Sequence, residues 1–335
     1  MYSKVLEENT EDILFPDMPI IDAHTHLFDN INARYMIEDY LKNVASGHNI
    51  VASVCIEIQA FIRDFGPVHL RPLGEVEFLN GVAAIGASRR YGKCLVSAAI
   101  VGYADLRQGD MIGDYLDQAM ACAPNRFRGV RQLLIEHESE APYRYITHRP
   151  PKGLFEDKNF YAGIKELDQR CLSFDVAVFH NQLPHVIKLA DAFPNMSFIL
   201  NHIGMPMLMG IESQERAELF NNWKCMMHDL AKRQNVTCKI GGLGLPFFNF
   251  GLMDRKTPIT STELASIWKP YIDVAINAFG PMRCMMESNF PPDGRSVGFA
   301  TLWNTLKLCT VEYNDTDKHE MFYGTAKRIY KINSL

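Results

Sequence analysis

Residues 20–29 read IIDAHTHLFD, a short, largely apolar run that closes in His24, Thr25 and His26. Such a run predicts a buried strand, and histidines two positions apart on a strand lie on one face. An open, doubly wound α/β sheet would carry a glycine-rich phosphate turn after its first strand. The His-Thr-His ending therefore favours a closed barrel.

The rest of the chain repeats a short β-type run followed by a longer helical run. This alternation is typical of parallel strands joined by crossover helices. Eight such units predict a (β/α)8 barrel made as one domain by residues 1–335. The predicted strands are 18–25, 50–58, 94–101, 127–134, 174–180, 197–202, 236–241 and 282–288. The predicted helices are 31–46, 72–91, 109–122, 159–171, 183–193, 212–233, 262–279, 297–311 and 315–331.

Composition excludes several classes of partner. The net charge is −5 and neither sign runs in blocks, which argues against a nucleic-acid partner. The longest apolar stretch, LVSAAIVGYA, is too short to span a bilayer. The N-terminal residues lack the apolar core of a secretory signal, and none of the eight cysteines forms a CxxC pair. We expect a cytoplasmic protein with a small-molecule substrate, and self-association stays open.

Two more histidines fall at the ends of predicted strands. His180 ends FDVAVFH and His202 ends FILNH. Barrel enzymes keep their catalytic groups at the carboxyl ends of the strands, so we expect both to meet His24 and His26 in one pocket. Neutral imidazoles are good ligands for a divalent ion such as zinc. The predicted metal ligands are His24, His26 and His180.

Charged and amide side chains add to this face. Arg131 lies in FRGVRQLL, where a buried cation needs an anionic partner, either a structural carboxylate or the substrate. In CMMESNFPPD, Glu287 and Asn289 share a face by the strand period, and Asp293 follows in the loop. A carboxylate here would bind metal or act as general base. Lys239, in VTCKIGGLG, points inward or extends to the rim.

The segment 136–157 is polar, contains prolines and has no period, which indicates a long loop. Loops on the C-terminal face of a barrel shape its substrate site. His148 lies in this segment and is a possible substrate contact.

Six blocks along the chain carry a family likeness: IIDAHTHLFD, FRGVRQLL, FHNQLPHVIKLADAFPNMSFILNHIGMP, KIGGLG, CMMESNFPPD and MFYGTAKRIY. In this order they resemble the amidohydrolase superfamily, and within it the subgroup of sugar lactonases and 2-pyrone-4,6-dicarboxylate lactonase. The resemblance covers almost the whole chain. It implies a (β/α)8 barrel that hydrolyses a lactone or related ester. By position, His24 and His26 match the strand-one pair, His180 the strand-five histidine and His202 the strand-six histidine.

The chain departs from the family pattern at two positions. The superfamily has an aspartate at the end of strand eight, which serves as base and often as metal ligand, and this chain has Asn289. An amide cannot take a proton from water, so Glu287, our first choice, or Asp293 must supply the carboxylate. Two-metal members often carry a carboxylated lysine on strand four, where this chain has Arg131. The resemblance therefore implies at most one ion, zinc or manganese, and leaves catalysis without metal open.

The first functional hypothesis is a hydrolase that opens a lactone by attack of an activated water. Arg131 and His202 would orient the substrate or stabilise the oxyanion, which often contributes most to acyl transfer. Two alternatives stay open. One is a metal-dependent decarboxylase of the same superfamily. The other is a barrel that binds a small ligand and has lost catalysis, which the substitution at Asn289 favours.

Overall fold

Eight apolar segments pair side by side as parallel strands, in the order of the chain. The computed structural model of the protein describes residues 11–31 and 33–333. Backbone hydrogen bonds from His26 N to Phe290 O (2.9 Å) and from Asn289 N to His24 O (2.9 Å) join the first strand to the segment after the last. The predicted (β/α)8 barrel is confirmed. Its strands are β1 (Ile20–Thr25), β2 (Ile50–Ile56), β3 (Leu95–Tyr103), β4 (Phe127–Leu133), β5 (Ser173–Ala177), β6 (Phe198–Leu200), β7 (Val236–Ile240) and β8 (Cys284–Met286).

Helices follow the strands and cover the barrel. They are α1 (Ile37–Val44), α2 (Leu73–Ala87), α3 (Ile112–Cys122), α4 (Lys158–Gln169), α5 (Leu183–Ala192), α6 (Arg216–Leu230), α7 (Ser261–Phe279) and α8 (Phe299–Cys309). A short helix α9 (Asp315–His319), a π-helical turn (Glu320–Gly324) and α10 (Thr325–Ile329) come after them. The larger apolar core lies between strands and helices, and a smaller one lies inside the barrel. None of the helices described is both long and apolar enough to cross a bilayer.

The first helix begins later than predicted. An antiparallel pair, Phe28–Asn30 with Ala33–Tyr35, occupies part of the segment predicted as helix 31–46. The side chain of Asn30 accepts a hydrogen bond from Ala33 N (3.0 Å), as turn asparagines do. The helix begins at Ile37 because the Asp39 carboxylate accepts the hydrogen bond of Met36 N (3.0 Å) and caps its first turn.

A buried lysine ties α8 to the start of the described chain. Lys307 Nζ donates to the carbonyl oxygens of Leu14 (2.7 Å) and Phe15 (3.0 Å) and to His48 Nδ1 (2.8 Å). The other ring nitrogen of His48 donates to Ala300 O (3.1 Å). Burial, assisted by the Lys307 charge, lowers the pKa of His48 to about 4. The imidazole is therefore neutral at pH 7, as its acceptor role requires.

This arrangement predicts acid sensitivity. Because the pKa of His48 is about 4 in the folded state and near 6.5 when unfolded, the unfolded state binds more protons between those values, and stability falls as pH drops through them. The free energy of unfolding should lose about 3 kcal/mol to this residue between pH 7 and pH 4. His48→Gln keeps a donor and an acceptor but does not titrate. Urea unfolding of the wild-type protein and of His48→Gln between pH 7 and pH 4 should show a smaller loss of unfolding free energy for the variant. Parallel curves of unfolding free energy against pH would refute this role of His48.

Candidate active site

A cavity opens at the carboxyl ends of the barrel strands. Its buried polar lining comes from five strand ends or the residues directly after them. Because a barrel places these ends around one mouth, residues far apart in the chain meet there. The buried polar residues that line the cavity are His26, Glu57, Arg131, His202 and Asn289.

His24 and His26 face each other at the end of β1. The pairing of β1 with β2 shifts register between Asp22 and Thr25, and such a bulge re-aims the side chains that follow it. The two Nε2 atoms lie 3.1 Å apart. His26 Nδ1 must donate to the carbonyl of Ile56 (3.0 Å), so its Nε2 carries a lone pair. A proton on His24 Nε2 would form a hydrogen bond to His26 Nε2. Alternatively, one metal ion would bind both nitrogens.

Both imidazoles are neutral at physiological pH. Burial is the main cause that lowers the pKa of each well below 6.5. The next contribution comes from the charge of Lys239 for His24 and from that of Arg131 for His26. Neutral imidazole is the form that binds metal ions.

Glu287 is fully buried directly below these rings. Its Oε1 accepts a hydrogen bond from His202 Nδ1 at 2.6 Å, a length typical of a charge-assisted bond. Its Oε2 lies 3.0 Å from His24 Nδ1 but makes no hydrogen bond to any described residue. The carboxylate therefore sits between two histidines, and it reaches the cavity only through His202.

Two consecutive glycines make room for this pair. A Cβ at Gly241 would overlap the Glu287 side chain, and a Cβ at Gly242 would overlap the His202 ring. Gly242 also has φ +68°, a conformation that favours glycine. The KIGGLG block thus allows β7 to approach closely enough for His202 and Glu287 to bond.

Arg131 is held by a carboxylate that the sequence analysis missed. Its Nε donates to Glu57 Oε1 (2.7 Å) and its Nη2 to the Glu57 carbonyl (2.6 Å), while Nη1 lies 3.3 Å from His24 Nε2. The structural partner expected for this cation is thus present, and the guanidinium still lines the cavity. The glutamate near the end of the predicted strand VASVCIEI was the sequence feature that could have identified Glu57 as the partner of Arg131.

Lys239 points into the barrel, the first of its two predicted orientations. Its Nζ donates to Asp175 Oδ2 (2.7 Å) and lies 3.3 Å from His24 Nδ1. Asp175 also accepts hydrogen bonds from Asn201 Nδ2 (3.0 Å) and from Tyr330 OH (3.1 Å). Asp175 stands inside the predicted strand FDVAVFH, and its acidity within an apolar run was the sequence feature that we overlooked.

Asn289 lines the cavity, whereas Asp293 lies behind it. Asn289 Nδ2 is 3.5 Å from Asp293 Oδ1, and the Asp293 side chain is fully buried against Gly244. Burial raises the pKa of Asp293 well above its ordinary value, and the nearby charge of Glu287 adds to the effect. A neutral, enclosed acid cannot take a proton from water in the cavity, which removes the second carboxylate expected to act as base.

The structure does not bring His180 to the other histidines. Strand β5 ends at Ala177, whose side chain lines the cavity, and the chain turns before residue 180. His180 Nδ1 accepts a hydrogen bond from Met207 N (3.2 Å), and the ring lines a separate groove beside α6. The expectation that His180 joins His24 and His26 as a ligand is therefore wrong, because the strand ends three residues earlier than predicted. His148 is exposed and lines the cavity.

The cluster has the donor types of a single-metal site. His24, His202 and Glu287 each offer one ligand atom, and these atoms lie within 4.8 Å of one another. The 3.1 Å between the Nε2 atoms of His24 and His26 is close to the edge of about 3.3 Å expected for two nitrogens on tetrahedral zinc. The donor set fits one small divalent ion.

A barrel with histidines from its first and sixth strands at the mouth has the architecture of the amidohydrolases. The chain belongs to that family, since the family model described as Amidohydrolase matches residues 21–332. It is 32% identical over 338 residues to the uncharacterised protein y4mH of Sinorhizobium fredii, covering 94% of this chain and 99% of that protein. It is 26% identical to L-fucono-1,5-lactonase of Burkholderia multivorans, covering 93% and 96%. A zinc-bound amidohydrolase crystal structure from Burkholderia multivorans shares the fold, with a TM-score of 0.69 at 21% identity over 93% of this chain and 99% of that chain.

The two-glycine turn can be tested with a matched pair of variants. Gly242→Ala adds a strained φ and a clash with His202, whereas Gly251→Ala adds a similar φ (+71°) with no atom within 4 Å. We expect Gly242→Ala to lose about 1–3 kcal/mol more unfolding free energy, the usual cost of overpacking. Denaturant unfolding, with a crystal structure of Gly242→Ala, checks this. Equal losses with an intact His202–Glu287 bond would contradict it.

Proposed function

We propose that the protein is a hydrolase that opens a lactone or closely related ester by adding water to its carbonyl carbon. The observation that carries this proposal is the buried Glu287–His202 pair, which ends at the cavity floor beside Arg131. Family membership and the likeness to a curated L-fucono-1,5-lactonase support it.

His202 is the proposed general base. Its Nδ1–H is committed to Glu287, so the lone pair for proton transfer is on Nε2. Glu287 orients the ring and stabilises the imidazolium that forms when the ring takes a proton from water, as the carboxylate of a catalytic triad does. Glu287, the first choice for the direct base, therefore acts on the substrate through His202, because its carboxylate is enclosed below the histidines.

Arg131 is the proposed electrophile. Two hydrogen bonds to Glu57 fix its guanidinium, so its remaining N–H groups need no reorganisation during the reaction. A preorganised donor of this kind stabilises the oxyanion of the tetrahedral intermediate. Asn289 supplies an amide beside this position and orients the substrate. The intermediate then collapses, the ring C–O bond breaks, and His202 returns its proton to the departing oxygen, which yields a hydroxy acid.

The Nε2 atoms of His24 and His26, 3.1 Å apart, are the proposed ligands of one divalent ion, and imidazole ligands favour zinc, with manganese as the alternative. When bound, this ion supplies Lewis-acid polarisation at the cavity floor. The steps assigned to His202 and Arg131 use only side chains of this chain, so they apply with or without the ion.

The base can be tested by substitution. Glu287→Gln removes the charge that stabilises the His202 imidazolium, and His202→Asn removes the base, so kcat on a lactone panel should fall by about 10²–10⁴-fold in each. His180→Asn is the matched control, because that histidine lies outside the cavity, and its kcat should stay within about twofold of wild type. Wild-type kcat in Glu287→Gln would refute the role of the pair.

Metal binding has a separate readout. After equilibration with zinc and gel filtration, the wild-type protein should retain about one ion per chain by elemental analysis. His24→Ala/His26→Ala should retain almost none, because both facing nitrogens are gone, and His180→Ala should match wild type. Equal zinc in the double variant would exclude the pair as ligands.

The decarboxylase alternative has weaker support from the site. Arg131, the buried cation at the cavity floor, already has the Glu57 carboxylate as its partner (Nε to Oε1, 2.7 Å), so a substrate carboxylate would meet a neutral pair rather than a free cation. A barrel without activity would have no need for the Glu287–His202 pair, whose burial is costly unless it is used.

A further inference from the structure

The wall of the cavity is apolar between its floor and its rim. Side chains from several different segments contribute to it, so the apolar character extends around the opening. The main contributors are Ile58, Ile135, Ile146, Met205, Leu245 and Phe247. A sugar lactone carries hydroxyl groups on most ring carbons, and each would be desolvated against these side chains at a cost.

Two of the buried polar groups near the wall are already committed. Glu57 is paired with Arg131, and His26 Nδ1 donates to the Ile56 carbonyl. The other polar residues nearer the opening are Gln59 and Arg295, which are half-buried, and Thr147 and His148, which are exposed at the rim. The buried part of the cavity thus provides groups for one carbonyl and one water, and few for additional hydroxyls.

The wall is held in place by aromatic contacts. Tyr145, on the long loop, packs edge-to-face on Phe247 with ring centroids 6.4 Å apart, and Phe247 packs edge-to-face on Phe179 at 5.1 Å. Such pairs add stability beyond the area they bury. The apolar surface is therefore formed before the ligand arrives, as in most small-molecule sites.

We propose that the lactone taken by this site bears an alkyl or aryl substituent in place of ring hydroxyls. This inference rests on the proposed lactone hydrolysis. The apolar side chains lie between the polar floor and the open rim, so such a substituent would contact them when the ring carbonyl is at the floor. Ile146 and Leu245, both half-buried on loops, are the specificity-determining residues most open to test.

The first experiment compares hydrolysis rates. δ-Lactones with alkyl chains of one to five carbons are assayed beside glucono-1,5-lactone and L-fucono-1,5-lactone. The value of kcat/KM should rise about three- to fourfold for each added methylene, because each methylene is buried against the apolar wall. Higher kcat/KM for the hydroxylated lactones would overturn the inference while leaving lactone hydrolysis intact. No hydrolysis of any lactone would instead refute the proposed function.

The second experiment measures binding without turnover. The corresponding δ-lactams resist opening, so their Kd values by calorimetry test the wall even in an inactive protein. Alkyl lactams should bind more tightly with each methylene, and Ile146→Asn and Leu245→Asn should each reduce this gain at least threefold. Ile187→Asn, a half-buried residue on α5 away from the cavity, is the matched control and should keep the gain. Equal or tighter binding of the hydroxylated lactam would overturn the inference.

Discussion

The carboxylate of Glu287 lies with no exposed surface between His24 and His202, and much of the barrel mouth is arranged around it. A buried charge is costly unless it is paired and hydrogen-bonded. Gly241 and Gly242, directly after β7, let it approach His202. On its other side, Asp22 accepts hydrogen bonds from Ser288 N (2.8 Å) and Ser288 Oγ (2.6 Å), which hold the chain after β8 against β1.

The site also balances its buried charges. Arg131 is paired with Glu57, and Lys239 with Asp175, so each cation near His24 has a carboxylate within 2.7 Å. Glu287 is left as the additional anion, and its charge stabilises the imidazolium that forms when His202 takes a proton in the proposed reaction. Burial is the main cause that raises the pKa of Asp293, and the nearby charge of Glu287 adds to it.

Much of this arrangement could be predicted from the sequence. The alternation of strands and helices gave the barrel, and polar residues at strand ends identified His24, His26, His202, Arg131 and Glu287. The error at His180 came from a strand boundary, because β5 ends at Ala177 and the chain turns at His180. Glu57 and Asp175 were missed because a lone acidic residue in an apolar run indicates that it has a buried partner but does not indicate which residue that partner is. The layering of Glu287 beneath His202 depends on the close approach of β7 and β8, which no local pattern encodes.

A double-mutant cycle on kcat/KM tests most directly whether His202 and Glu287 act as one unit. If Glu287 acts only through His202, removing it from a protein that already lacks the base should cost almost nothing. The account predicts that His202→Asn/Glu287→Gln is within about twofold of His202→Asn alone. Losses that multiply, so that the double variant falls by the product of the single effects, would show that the two residues act independently and would contradict the account.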